Sequence, residues 1–141
     1  MPEQILKKLV WSEELATGIE SIDYQHRKIL GLLETLYDSA SGVDGDFVRR
    51  LKRFSIQVMQ HHESEEKLFE AKGNEHYLQQ KQAHQYFIRS ILKFINQSRA
   101  GELSPEECVR FYLKLCENTL LHIREDQQAL GDNSPTGEGE D

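Results

Sequence analysis

An all-α, up-down-up-down antiparallel four-helix bundle is the fold this sequence predicts, and three observations predict it. Apolar residues recur at spacings of three and four through four long segments, with no period-two alternation long enough for a strand. Glycine and proline are sparse, nine and three in 141 residues, and they gather where those segments end. The connections are short, which favours antiparallel neighbours.

The N-terminal residues form an extended arm, with Trp11 expected to pack over the bundle. The first helix is predicted over 21–40, with an inward stripe of Ile22, His26, Ile29, Leu33 and Leu36. After the breaker "SGVDGD" (41–46), a second helix over 46–71 carries Phe47, Leu51, Phe54, Val58, His61, Glu65 and Leu68. "KGN" (72–74) ends it. The third helix, 75–99, presents Tyr77, Gln80, His84, Phe87, Ile91 and Phe94, and "RAGELSP" (99–105) follows. There Ser104, Pro105 and Glu107 supply an N-cap hydroxyl, a proline at N1 and a capping-box acid. The fourth helix, 105–130, carries Phe111, Leu115, Thr119, His122 and Asp126, and Gly131 closes it. Residues 1–131 thus read as one domain and 132–141 as an acidic disordered tail.

Hydrophobic residues make up 38% and charged residues 29%, the balance of a soluble globular chain. The formal net charge is −7, but the last eleven residues hold four acids and no base, which leaves −3 on the rest. A mildly acidic body argues against nucleic acid as a partner. No apolar run approaches the roughly 18 residues of a membrane span, and "MPEQILKKLV" lacks a signal-peptide core. Cys108 and Cys116 lie eight residues apart in one helix, about 12 Å along its axis, too far for a disulfide. They read as buried thiols in a reducing cytoplasm.

Each stripe is apolar at one end and polar at the other, and the up-down topology brings the polar ends together. His26 and His84 start their helices, whereas His61, Glu65 and His122 lie near the ends of theirs. Four imidazoles and a carboxylate therefore converge in one core. A lone buried polar group can be satisfied by a neighbour or a water, and an unpartnered carboxylate costs roughly several kcal/mol. Five on one seam are better explained by a bound cation, and neutral imidazole with carboxylate suits iron, zinc or copper. The competing reading is a hydrogen-bonded polar plug without metal. His62, about 100° round the helix from His61, is expected to be partly exposed. His76 is expected at the surface or the helix N-terminus.

"WSEELATGIESIDYQHRKILGLLETL" (11–36) resembles the start of a bacterial hemerythrin. "HHESEEKLFEAKG" (61–73) resembles that family's His-x-x-x-Glu-Glu helix, and "HQYF" (84–87) and "HI" (122–123) fit its later histidines. The resemblance spans the chain to about residue 130. It implies a cation-binding bundle with two non-haem irons, five histidines and two bridging carboxylates, and O2 bound end-on at one iron. Carried over by position, His26 and His61 hold one iron, His84 and His122 the other, and Glu65 bridges.

Two of the usual ligands are replaced. Gln80 stands where the family has a histidine four before His84, and an amide oxygen is a weaker, harder ligand than imidazole. Gln127 stands where the family has a bridging aspartate five after its last histidine, with Asp126 one position earlier. By plain helical periodicity Asp126 is on the seam; a locally wider π-turn is another route inward. The donor set is compatible with two irons, as the resemblance implies, or with a single iron or zinc on the His26, His61 and Glu65 side. Thr119, beside Asn118, replaces a bulky apolar residue, which admits a hydrogen bond or water to the ligand pocket.

The implied function is binding of O2 or NO for storage, delivery as in oxygen transport, or sensing. Ligand binding is favoured over enzymatic turnover. The alternatives are an iron enzyme that reduces peroxide or oxygen, and a degenerate metal-binding or regulatory bundle. The expected partners are a diatomic ligand and a signalling or redox protein, without nucleic acid or membrane, on a monomer or weak oligomer.

Overall fold

Thr17 and Asp23 set the entry to the first helix. The Asp23 carboxylate accepts hydrogen bonds from the Thr17 N–H (2.8 Å), the Thr17 hydroxyl (2.9 Å) and the Gly18 N–H (3.2 Å). The same hydroxyl accepts from the Ile19 N–H at 3.1 Å. Folding the arm this tightly needs a left-handed residue, and Gly18 has φ of 92°. The helix that follows is α1 (Glu20–Gly42). These coordinates are a computed structural model, which describes residues 9–42, 46–71, 73, 77–99 and 104–131.

The second helix, α2 (Phe47–Ala71), is followed by Gly73 at φ 66°, whose N–H reaches the Glu70 carbonyl at 3.1 Å. The third, α3 (Tyr77–Arg99), precedes α4 (Pro105–Asp126). The capping box forms as the sequence predicts: the Glu107 N–H donates to Ser104 Oγ at 3.2 Å, and the Ser104 N–H donates to Glu107 Oε1 at 2.7 Å. Beyond Asp126 the chain winds as a π-turn over Gln127–Gly131.

The four helices run up, down, up, down. Near one end Tyr37 of α1 meets Tyr112 of α4 at 5.9 Å between ring centroids. There too Phe47 of α2 meets Phe94 of α3 at 5.8 Å, and Phe94 stacks on Phe111 of α4 at 4.1 Å. A large apolar core surrounds these rings, with Leu33, Leu36, Leu51, Phe54, Ile91 and Leu115 sealed from solvent. At the opposite end Ile22, Phe69 and Leu130 form a second, smaller apolar cluster. Along every helix the polar seam residues fall between these two layers. Trp11 is half-buried against the large core with the Arg27 guanidinium 5.6 Å from its ring, as expected.

The inward stripe drifts along α2. A straight helix advances about 100° per residue, so a seven-residue repeat falls about 20° behind with each heptad. Measured from Phe47, His61 lies about 40° to one side of the seam and His62 about 60° to the other. His62 is accordingly buried, 7% exposed, which corrects the expectation of a partly exposed side chain. By the same drift Phe69 is buried and Leu68 only half-buried, and in α4 Tyr112 is buried rather than Phe111. His76 and the acidic tail lie outside the described residues. Among the described residues no helix is long and apolar enough to cross a membrane.

Candidate metal centre

Imidazoles from all four helices meet two carboxylates between the apolar layers. Glu65 spans them: its Oε2 lies 3.2 Å from His61 Nε2, and its Oε1 lies 3.1 Å from His84 Nε2 and 3.2 Å from His122 Nε2. Asp126 Oδ2 lies 2.9 Å from His26 Nε2, 3.2 Å from His122 Nε2 and 3.5 Å from His61 Nε2. His61 and His122 approach to 3.3 Å between their Nε2 atoms. Glu65, Asp126, His26 and His61 are all sealed from solvent.

Groups outside the cluster aim two of the rings. Gln25 Oε1, which can only accept, lies 2.6 Å from His61 Nδ1, so that nitrogen carries the proton and the Nε2 lone pair faces inward. Glu66 Oε2 does the same for His84, accepting from Nδ1 at 2.8 Å. Carboxylate and amide partners of this kind fix the tautomer and orientation of metal-binding histidines.

Burial pulls His26 below an ordinary imidazole, with the Asp126 hydrogen bond only partly opposing it. Burial acts the same way on His61 and His122, but Asp126 and Glu65 outweigh it, leaving His61 raised and His122 raised well above its usual value. For Glu65, burial works to raise the pKa, and the His122 charge together with the close Asp126 and His61 side chains holds it well below 4.5. His62, with burial and three imidazoles around it, is pushed down to about 2 and stays neutral.

The donor set fits a resident cation. His26 Nδ1, both Glu65 oxygens, His84 Nε2 and Asp126 Oδ1 are buried and have no hydrogen-bond partner among the described residues. One such atom costs about 1–3 kcal/mol. Three of them, both Glu65 oxygens and His84 Nε2, lie within 3.2 Å of an opposed donor atom in one cluster, an arrangement suited to sharing an ion. His26, His61, Glu65, His122 and Asp126 form one metal-capable group, and His62, His84 and His122 form another. Imidazole nitrogen with carboxylate oxygen is a donor set suited to iron.

A cavity of about 220 Å³ opens onto these rings between α3 and α4. Ile29, Val58, Phe87 and Ile123 supply apolar wall, Thr119 and Asn118 supply polar wall, and exposed Tyr86 and Leu121 stand at its rim.

Asp126 reaches the cluster by ordinary α winding, four residues after His122, and the π-turn begins only after it. Gln127 therefore points elsewhere: its amide donates to the Glu14 carbonyl at 2.6 Å and the Ala16 carbonyl at 3.1 Å, clasping the N-terminal arm. Gln80 is half-buried one turn before His84 and does not line the cavity. Asp126→Asn is expected to weaken metal binding at least ~10-fold, because it removes a charged donor shared by three imidazoles. Gln127→Ala is expected to leave metal content unchanged and lower Tm by about 3 °C, the effect of roughly 1 kcal/mol of lost hydrogen bonding. Metal analysis and thermal melts of the two variants check this; equal metal loss would reverse the assignment of the two positions.

Comparison with known proteins agrees with this geometry. The description "Hemerythrin HHE cation binding domain" matches residues 17–129. A bacteriohemerythrin of Stenotrophomonas maltophilia (strain R551-3) is 30% identical over 128 residues, covering 88% of this chain and 80% of the relative. Bacteriohemerythrins of Pseudomonas paraeruginosa (strain PA7) and Pseudomonas aeruginosa (strain LESB58) are each 29% identical over 125 residues, with the same coverage.

Proposed function

Because this chain belongs to the hemerythrin HHE family, we propose that it is a non-haem iron protein that receives O2 or NO in its cavity, for storage, delivery or sensing. The observation that carries this reading is the placement of the cavity, which ends on the same imidazoles that Glu65 and Asp126 draw together. Iron bound there would supply redox activity and an open coordination position for a diatomic ligand. The protein's own residues do the rest. Gln25 and Glu66 hold His61 and His84 with their Nε2 atoms inward. Ile29, Val58, Phe87 and Ile123 line the approach with apolar surface, which disfavours water.

Thr119 and Asn118 favour a second reading. Polar wall beside the centre offers hydrogen bonds and a foothold for water, conditions that suit reduction of peroxide or oxygen more than reversible binding.

Optical titration separates the two. Iron-loaded protein reduced under argon is expected to change its visible spectrum on exposure to O2 and to return when O2 is removed. Thr119→Leu is expected to lengthen the life of that change. Iron-dependent consumption of hydrogen peroxide with no reversible spectral change would favour the second reading, and failure to bind iron would dismiss both.

A further inference from the structure

Gln80 leaves the His84 side of the centre short of an imidazole, and the structure brings one in from another helix. His62 is 7% exposed, and its ring lies face to face with His84 at 3.7 Å between centroids and 4° between planes. It stands 5.5 Å from the His122 ring. The donor nitrogens of His62, His84 and His122 all lie within 4.8 Å of one another. A shared ion about 2.1 Å from each nitrogen needs separations of no more than about 4.2 Å, so the His62 ring has to turn out of the stack to bind.

We propose that His62 completes a second metal position with His84 and His122, replacing the imidazole that Gln80 cannot supply. This rests on the iron reading above and adds to it a ligand that comes from α2 instead of α3. The arrangement divides the cluster into two halves. His26, His61 and Asp126 stand on one side with Glu65 Oε2, His62 and His84 stand on the other with Glu65 Oε1, and His122 lies between, within reach of both groups. Packing alone gives no reason for an imidazole at 62. Phenylalanine would fill the space beside His84 and Phe87 without burying ring nitrogens. The supporting partner is also in place, since Glu66 holds His84 with Nε2 toward Glu65.

Anaerobic titration with ferrous iron, and in parallel with Co(II) followed by its visible absorption, tests the assignment by atoms bound per chain. Wild type is expected to take two ions. His62→Ala and His62→Phe are each expected to take one, the second variant keeping a ring against His84 so that packing is preserved. Far-UV circular dichroism verifies that both remain helical. His62→Ala/Gln80→His is expected to return to two ions, because it restores the imidazole to α3. Two ions in wild type and in both single variants would overturn the role of His62 while leaving the iron reading intact. One ion in wild type would overturn the second position. Wild type that binds neither metal would take down the iron reading and this inference together.

Discussion

Glu65→Gln is expected to abolish stable metal uptake. Among the described residues Glu65 is the one side chain whose two oxygens both approach the imidazoles of the cluster, at 3.1–3.2 Å. Glutamine keeps the shape but removes the charge, and it turns an N–H donor toward nitrogens whose lone pairs are needed. Loss of an outer-shell partner already costs about 10–100-fold in metal affinity, so loss of a direct donor serving both halves should reach at least the upper end. Metal content after dialysis against a mild chelator, falling from wild-type stoichiometry to near zero, is the readout; retention would show that Glu65 is structural.

Proton linkage gives the same substitution a second signature. Glu65's folded pKa is depressed, so its contribution to stability is present above 4.5 and is lost as pH falls through the lowered value. His122's folded pKa is raised, so its contribution is present below 6.5 and is lost as pH rises through the raised value. Metal-depleted wild type should therefore lose stability on both limbs, and Glu65→Gln should flatten the acid one. Metal binding needs neutral imidazoles, so the raised pKa values of His61 and His122 should make affinity climb with pH.

The largest effect on stability is expected at Phe54, sealed in the large core away from the polar cluster. Phe54→Ala removes a fully buried ring and should cost about 3–5 kcal/mol, a large part of the roughly 5–15 kcal/mol that holds a domain folded. Because the ring does not line the cavity at the cluster, the folded variant should bind metal with wild-type stoichiometry. Saturating metal should recover part of the loss, about 2.7 kcal/mol at a hundred times Kd. Denaturant midpoints with and without metal measure both terms. A loss below about 1 kcal/mol would mean that the core closes around the gap.

Much of this was legible in the residues because it depends on local chemistry. The Ser104–Glu107 cap formed as spelled, the four helices lie within a few residues of their expected bounds where described, and the seam histidines met. Asp126 reached the cluster by plain periodicity, although the family pattern puts its aspartate one position later. Heptad counting failed where a straight helix outruns it: 15 residues beyond Phe47, accumulated drift turns His62 inward, and summing 100° steps from Phe47 would have shown this. The Gln127 clasp was beyond reach, because it joins residues more than 100 positions apart.

The small apolar cluster of Ile22, Phe69 and Leu130 has a kinetic consequence. It closes the described core at that end, whereas the cavity reaches the imidazoles from the side, between α3 and α4. Under the proposed reading, exchange at the centre should follow the width of that side opening while affinity follows the donor set, so substitutions at the exposed rim residues Tyr86 and Leu121 should change the rate and leave the affinity unaltered.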